Sequence, residues 1–154
     1  MGEFQIENTL GYRINRCGIV IKQELRRRFN KRGYSITPEE WIILNRLWET
    51  DGLTQNEISQ KTIKDKTTVT RFLSKMEKDG LIRRKSSNED RRVNHVQLST
   101  KGKKLKNQLI PIAQELLEAA TEKISPEHLL VTIETLKQIE LNLSNQGVFQ
   151  ELKE

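Results

Sequence analysis

The sequence predicts a mainly α-helical chain with a small β wing, an α+β fold in which long terminal helices flank a compact central unit. Three observations carry this. Apolar residues recur at helical spacing over most of the 154 residues, helix-start signals follow one another closely between Thr37 and Asp65, and the period changes from helix to strand after Gly80. A chain of this length makes a single folded unit. Pattern divides it into a first helix (1–35), a central region of capped helices and a hairpin (36–100), and two closing helices (101–154).

From about Ile6 to Arg32, apolar residues at Ile6, Leu10, Ile14, Cys17, Ile21 and Leu25 lie three and four apart, one stripe of an amphipathic helix that Gly33 breaks. Thr37-Pro38-Glu39-Glu40 opens the next. Thr37 caps, Pro38 suits the first helical position, and Glu40 completes a capping box. That helix carries Trp41, Leu44, Leu47 and Trp48 and stops at Asp51-Gly52, after which Thr54-Gln55-Asn56-Glu57 repeats the capping box and opens a short helix to Lys61 or Thr62. Asp65 caps a third helix, ended by Asp79-Gly80. Leu81 to Lys85 and Val93 to Leu98 read as strands joined by the polar loop 86–92, with Asn94, Val96 and Leu98 on one face of the second strand. Ser99 caps a helix from Thr100 to about Glu122. Ser125-Pro126-Glu127 opens the last, whose stripe is Leu129, Ile133, Leu136, Ile139 or Glu140, and Leu143.

Charge is located rather than spread. The net charge is +6, yet between Lys61 and Lys106 fifteen Lys or Arg stand against five Asp or Glu, while the remainder holds twelve bases and sixteen acids. A basic segment inside an otherwise acidic chain points to a polyanionic partner; a merely solvated basic face is the bland alternative and suits shorter runs. No uncharged apolar stretch approaches the roughly 18–20 residues of a membrane span. The opening MGEFQIENTL has no basic-then-apolar leader, and the single cysteine excludes an intramolecular disulfide framework. These features predict a soluble, cytoplasmic protein with no membrane attachment. No nucleophile has a base beside it, His95 and His128 have no ligand-spaced partner, and the eight glycines form no phosphate loop, so neither enzyme chemistry nor a cofactor or metal is expected.

Short loops between small capped helices followed by a basic hairpin suit a winged helix-turn-helix. The third helix decides whether it can read DNA. Val69, Phe72, Leu73 and Met76 form its apolar stripe, so the opposite face carries Thr67, Thr70, Arg71, Ser74 and Lys78, flanked by Lys66, Thr68 and Lys75. No acid lies on that face. Hydroxyls, ammonium and guanidinium groups are what base edges and phosphates accept, and exposed threonines have poor helix propensity and no packing role. In the wing, Arg83, Arg84 and Lys85 lead in and Asp90-Arg91-Arg92 lie at the tip or return, where an arginine can enter a minor groove and Asp90 can hold a neighbouring arginine in place. A flexible charged tip is the bland reading of the same residues.

These residues resemble the MarR (multiple antibiotic resistance regulator) family of bacterial winged-helix repressors. The carrying motifs are Thr54-Gln55-Asn56-Glu57-Ile58, Thr67-Thr68-Val69-Thr70-Arg71, Lys78-Asp79-Gly80-Leu81-Ile82, Asp90-Arg91-Arg92 and Val96-Gln97-Leu98-Ser99-Thr100-Lys101-Gly102. They follow in family order and spacing from Thr37 to Gly102, and the flanking helices extend the resemblance over nearly the whole chain. Ser99 replaces a frequent threonine and keeps the hydroxyl cap. The resemblance implies an obligate homodimer whose first and last two helices pack together, with recognition helices in successive major grooves of a pseudo-palindrome. The family's wing arginine falls on Arg92 and its paired acid on Asp90. The expected contacts to double-stranded DNA are therefore Lys66, Thr67, Thr68, Thr70, Arg71, Ser74, Lys75, Arg84, Asp90, Arg91 and Arg92. A small-molecule effector or modification is expected to reorient the recognition helices, but the sequence names none.

Apolar stripes on both terminal helices support the dimer independently, because the small central core cannot cover them; burial against a second copy stabilises by roughly 25 cal/mol per Å2. Cys17 lies on the first stripe, which favours a small buried hydrophobe. Redox sensing through Cys17 is the alternative; Arg13 and Arg16 lie nearby, although the tyrosines that accompany a sensor cysteine in one branch of the family are not evident. A winged-helix protein-interaction module is another, but it would carry an apolar or acidic recognition face. Attachment to an anionic membrane would put the bases along one long amphipathic helix.

Overall fold

The computed structural model describes residues 5–90 and 93–144, and the structural statements below concern those residues. After a 3-10 turn at Ile6–Asn8 come α1 (Leu10–Lys31), α2 (Pro38–Glu49), β1 (Leu53–Thr54), α3 (Gln55–Thr62), α4 (Lys66–Lys78), β2 (Ile82–Ser86), β3 (Asn94–Leu98), α5 (Thr100–Ala120) and α6 (Pro126–Ser144). The mainly α fold with a small β wing is present.

The caps form where side-chain chemistry predicts them. Glu40 N–H donates to the Thr37 hydroxyl at 3.2 Å while Thr37 N–H donates to the Glu40 carboxylate at 2.8 Å, and Thr54 and Glu57 repeat the exchange at 3.2 and 2.7 Å. Asp65 accepts the Thr68 N–H at 2.8 Å to start α4, and Ser99 accepts the Gly102 N–H at 3.0 Å to start α5. The first helix begins four residues later than the apolar spacing suggests. Thr9, extended at φ −80° and ψ 145°, closes the 3-10 turn and caps α1 by accepting the Tyr12 N–H at 3.4 Å.

The sheet has a third strand that the sequence does not announce. Its order is β1-β3-β2, all antiparallel, with Leu53 opposite Val96 and Ile82 opposite Leu98. Two residues are too few to show alternation, and β1 exists because the turn before it is braced. The Asp51 carboxylate accepts the N–H groups of Gly52 at 3.0 Å and Leu98 at 2.8 Å, and Gly52, at φ +84°, also donates to the Val96 carbonyl at 3.0 Å.

The core lies under this sheet and draws on α1 to α5. Phe29, Ile43, Leu44, Ile58, Val69, Leu73, Met76, Val96 and Leu109 are fully buried. Trp41 stands edge-on to Trp48 at 5.6 Å between ring centroids and tilted against Phe29 at 5.5 Å, and the Trp48 indole N–H donates to the Gly102 carbonyl at 2.9 Å. That contact needs a close approach: a Cβ on Gly102 would sit 2.2 Å from the Leu81 carbonyl oxygen, which already accepts the Ser99 N–H at 2.9 Å.

Outside this core the apolar stripes stay open. On α1 only Leu25 and Phe29 are buried, while Leu10 and Ile14 are exposed, and α6 has no buried residue. The expectation of a buried Cys17 is corrected accordingly: its side chain is exposed, because it lies on the part of α1 that reaches beyond the core. No helix among the described residues is long and apolar enough to cross a membrane.

Candidate nucleic-acid interface

Helix α4 presents two faces with opposite chemistry. Val69, Leu73 and Met76 are fully buried and Phe72 is partly so, which turns Lys66, Thr67, Thr70, Arg71, Ser74 and Lys78 outward as exposed residues. The outward side chains are those of the sequence expectation, and none is an acid.

The hydroxyls on that face do different work. Thr68, half-buried, donates to the second Asp65 carboxylate oxygen at 2.7 Å, so it completes the cap. These bonds from the Thr68 hydroxyl and N–H hold the Asp65 carboxyl below its ordinary value and keep a negative charge at the helix N-terminus. Thr70 donates to the Lys66 carbonyl at 2.8 Å and accepts from the Gln55 side-chain amide. Its proton is committed, and Gln55, at the start of α3, joins the face; the sequence offered Gln55 only as part of a capping motif. Thr67 and Ser74 have no side-chain hydrogen bond among the described residues. The Arg71 guanidinium lies 5.3 Å from the Phe72 ring centroid, steadied by a cation–π contact.

Two expected contact residues are engaged by the protein itself. The Lys75 ammonium donates to Glu40 at 2.7 Å and Asp79 at 2.8 Å, and Glu40 is fully buried. Hydrogen bonds from Lys75 to Asp79 and then Glu40 raise the Lys75 pKa and tie the start of α2 to the end of α4. Arg84 is folded onto Glu77: its backbone N–H, Nε and Nη2 donate to that carboxylate at 2.9, 3.0 and 2.7 Å. The backbone bond and then the guanidinium hold Glu77 below its ordinary value. Arg84 thus fastens the wing to α4, while Arg83 and Lys85 beside it stay exposed. Periodicity could not reveal either pair, because Lys75–Glu40 and Arg84–Glu77 join separate elements.

Asp90 lies exposed in the loop between β2 and β3, where its carbonyl accepts the Val93 N–H at 3.0 Å. Arg91 and Arg92 lie outside the described residues. Between α3 and α4, Ile63 adopts the left-handed conformation at φ 53° and ψ 48° with its side chain exposed, which sets the angle of the turn at some steric cost. Among the described residues no group of three or more His, Cys, Asp or Glu could hold a metal.

A short helix leading at a fixed turn into a polar, cationic helix, backed by a three-stranded wing, is the architecture of a winged-helix, DNA-binding transcription regulator. Residues 36–93 match the sequence model of the MarR family. It is 29% identical over 121 residues to the uncharacterized HTH-type transcriptional regulator YsmB of Bacillus subtilis, covering 79% of this chain and 82% of that relative. It is 35% identical over 83 residues to the organic hydroperoxide resistance transcriptional regulator of the same organism, covering 54% and 56% respectively. In structure it resembles Bordetella bronchiseptica BpsR, whose DNA binding is regulated by 6-hydroxynicotinic acid, with a TM-score of 0.81, 16% identity, and 90% and 98% of the two chains covered.

Proposed function

We propose that this regulator binds a pseudo-palindromic operator as a homodimer, represses transcription from it, and is released by a small-molecule effector. The observation that carries the reading is the two-faced α4, whose acid-free outward face combines Arg71 with the Thr67 and Ser74 hydroxyls over a fully buried apolar stripe. In this reading Thr67, Arg71 and Ser74 touch base edges and Lys66 and Lys78 touch phosphates, while Thr68, Thr70, Lys75 and Arg84 position the helix and wing. The wing contributes Asp90, Arg91 and Arg92.

Exposed apolar residues on the first helix and on α6, including Leu10, Ile14, Leu130 and Ile133, support dimerisation through 1–35 and 101–154. A second copy places two recognition helices about 34 Å apart, one turn of DNA. For the effector we favour a cleft of about 480 Å3 between Gly33–Ile36, the end of α4 and the start of α5, lined also by Lys75, Asp79, Leu81, Lys101 and Leu105. An occupant there competes for Lys75 and Asp79 and so pulls directly on α4. A second reading, redox control through Cys17, is favoured by the exposed thiol and by the likeness to the hydroperoxide resistance regulator. Cys17→Ser would then abolish any loss of operator affinity on peroxide treatment.

The test is a gel shift against the operator selected from random duplexes. Arg71→Ala is expected to weaken binding by about 1–3 kcal/mol and relax sequence preference, and log affinity should fall with log salt by roughly 0.9 per phosphate contacted. Unchanged affinity and specificity in Arg71→Ala would sink the assignment.

A further inference from the structure

Away from α4 and the wing, a second concentration of charge sits at the end of α1. Arg26, Arg27, Arg28, Lys31 and Arg32 put five cations into seven positions. Bases there offset the partial charge at a helix C-terminus, but that charge is only about half an elementary unit and one or two cations suffice. Two carboxylates answer the rest. Glu24 takes the Arg27 fork at 2.7 and 2.7 Å and Arg28 Nε at 2.7 Å, and Glu115 on α5 takes Arg32 at 2.5 Å. Arg26 and Lys31 have no carboxylate partner among the described residues.

The side chains converge instead of splaying. Arg27, Arg28, Lys31, Arg32 and Glu115 line a hollow of about 340 Å3 between α1 and α5, and with Glu24 holding Arg27 and Arg28 the balance is four cations against two carboxylates. We propose that this pocket binds a small anion carrying two or more phosphate groups, of the kind found in inorganic pyrophosphate and in nucleoside di- and triphosphates. Guanidinium forks match phosphate oxygens bidentately, and a singly charged anion would leave the lining cationic. Glu115 holds the place of the ligand, and an entering phosphate displaces it from Arg32. Arg32 adjoins Gly33, the first residue lining the 480 Å3 cleft, so occupancy is sensed next to the recognition helix.

The proposal goes beyond operator binding, and its test uses DNA-free protein, so it fails or survives separately from the DNA-reading assignment. Inorganic pyrophosphate is titrated calorimetrically at constant ionic strength. One site per chain is expected, weakened about tenfold or more by the exposed pair Arg27→Ala and Lys31→Ala and unchanged by Arg71→Ala. Glu115→Gln should tighten binding by freeing Arg32, an opposite sign that damage to the fold would not produce. Absence of saturable binding overturns the proposal. So does a loss that follows Arg71→Ala, a weakening in Glu115→Gln, or displacement of pyrophosphate by a short duplex in the Arg71→Ala protein.

Discussion

Helices α4 and α6 are both written with apolar residues at helical spacing, yet they end in opposite environments. On α4 the stripe of Val69, Leu73 and Met76 is fully buried against its own chain; on α6 nothing is buried, and Leu130, Val131 and Ile133 face outward. Periodicity therefore reports that a helix requires a partner, and only tertiary packing says whether that partner lies within the chain. The two helices also differ in what the polar side does: on α4 it is uniformly hydroxylic or cationic across its outward face, whereas on α6 it carries Glu127, Glu134 and Glu140.

Identical truncations at the two sites sharpen the contrast. Leu73→Ala, in the close-packed interior, should cost about 2–5 kcal/mol, read from urea denaturation. A loss below roughly 0.5 kcal/mol would break the comparison, because a value that small belongs to surface positions. Next in size is Gly102→Ala. Its new methyl would meet the Leu81 carbonyl, a backbone atom that is itself held by Ser99, so relief requires moving the junction of β2 and α5. An overpacking cost of about 1–3 kcal/mol is expected by the same measurement, and a neutral result would mean that this junction is loose.

Leu130→Ala with Ile133→Ala probes the open side of the comparison. In an isolated chain both side chains are half exposed, at 57% and 44%, and truncation should hardly matter. Covered by a second copy, each should contribute about 1 kcal/mol, and the melting temperature of the native protein should rise with protein concentration while that of the double variant rises less. Concentration-independent melting of both proteins would remove the dimer from the proposed function.

Much of the fold was legible because it is specified locally. Thr37, Thr54, Asp65 and Ser99 cap helices using residues within three positions of themselves, so their signals survive in a linear reading. What escaped was set by distant partners. Strand β1 depends on Asp51 reaching Leu98, and the turn at Ile63 carries no glycine to announce its left-handed backbone. The exposure of Cys17 depends on how far α1 extends past the core. At the candidate interface the outward face of α4 followed from counting residues, but the engagement of Lys75 by Glu40 and of Arg84 by Glu77 required the chain to fold first.

The smallest expected effect is electrostatic, and it again separates the regions. Hydrogen bonds from Arg27 and then Arg28 bring Glu24 from 4.5 down to about 2, while Thr54 N–H lowers Glu57, the Thr68 hydroxyl lowers Asp65 and Arg84 N–H lowers Glu77. In each case folding favours the ionised form, so the stabilisation is complete above the ordinary carboxylate value and is lost as pH falls through the lowered one. Lys75 runs the other way: its raised value gives a contribution complete below 10.5 that disappears as pH climbs through the folded-state value. Three of the four carboxylates brace α3, α4 and the wing, and none is on α6, so acid should loosen the winged-helix region while leaving the α6 contribution to stability untouched. Glu57, Asp65 and Lys75 are exposed and Glu24 and Glu77 only half-buried, which keeps each effect small and sensitive to salt. Urea midpoints measured from pH 6 toward about pH 2 should fall less steeply in Glu24→Gln than in the native protein, whereas the Leu130→Ala and Ile133→Ala protein should keep the native slope. Parallel slopes for Glu24→Gln and the native protein would show that the arginine fork on α1 adds nothing to the fold.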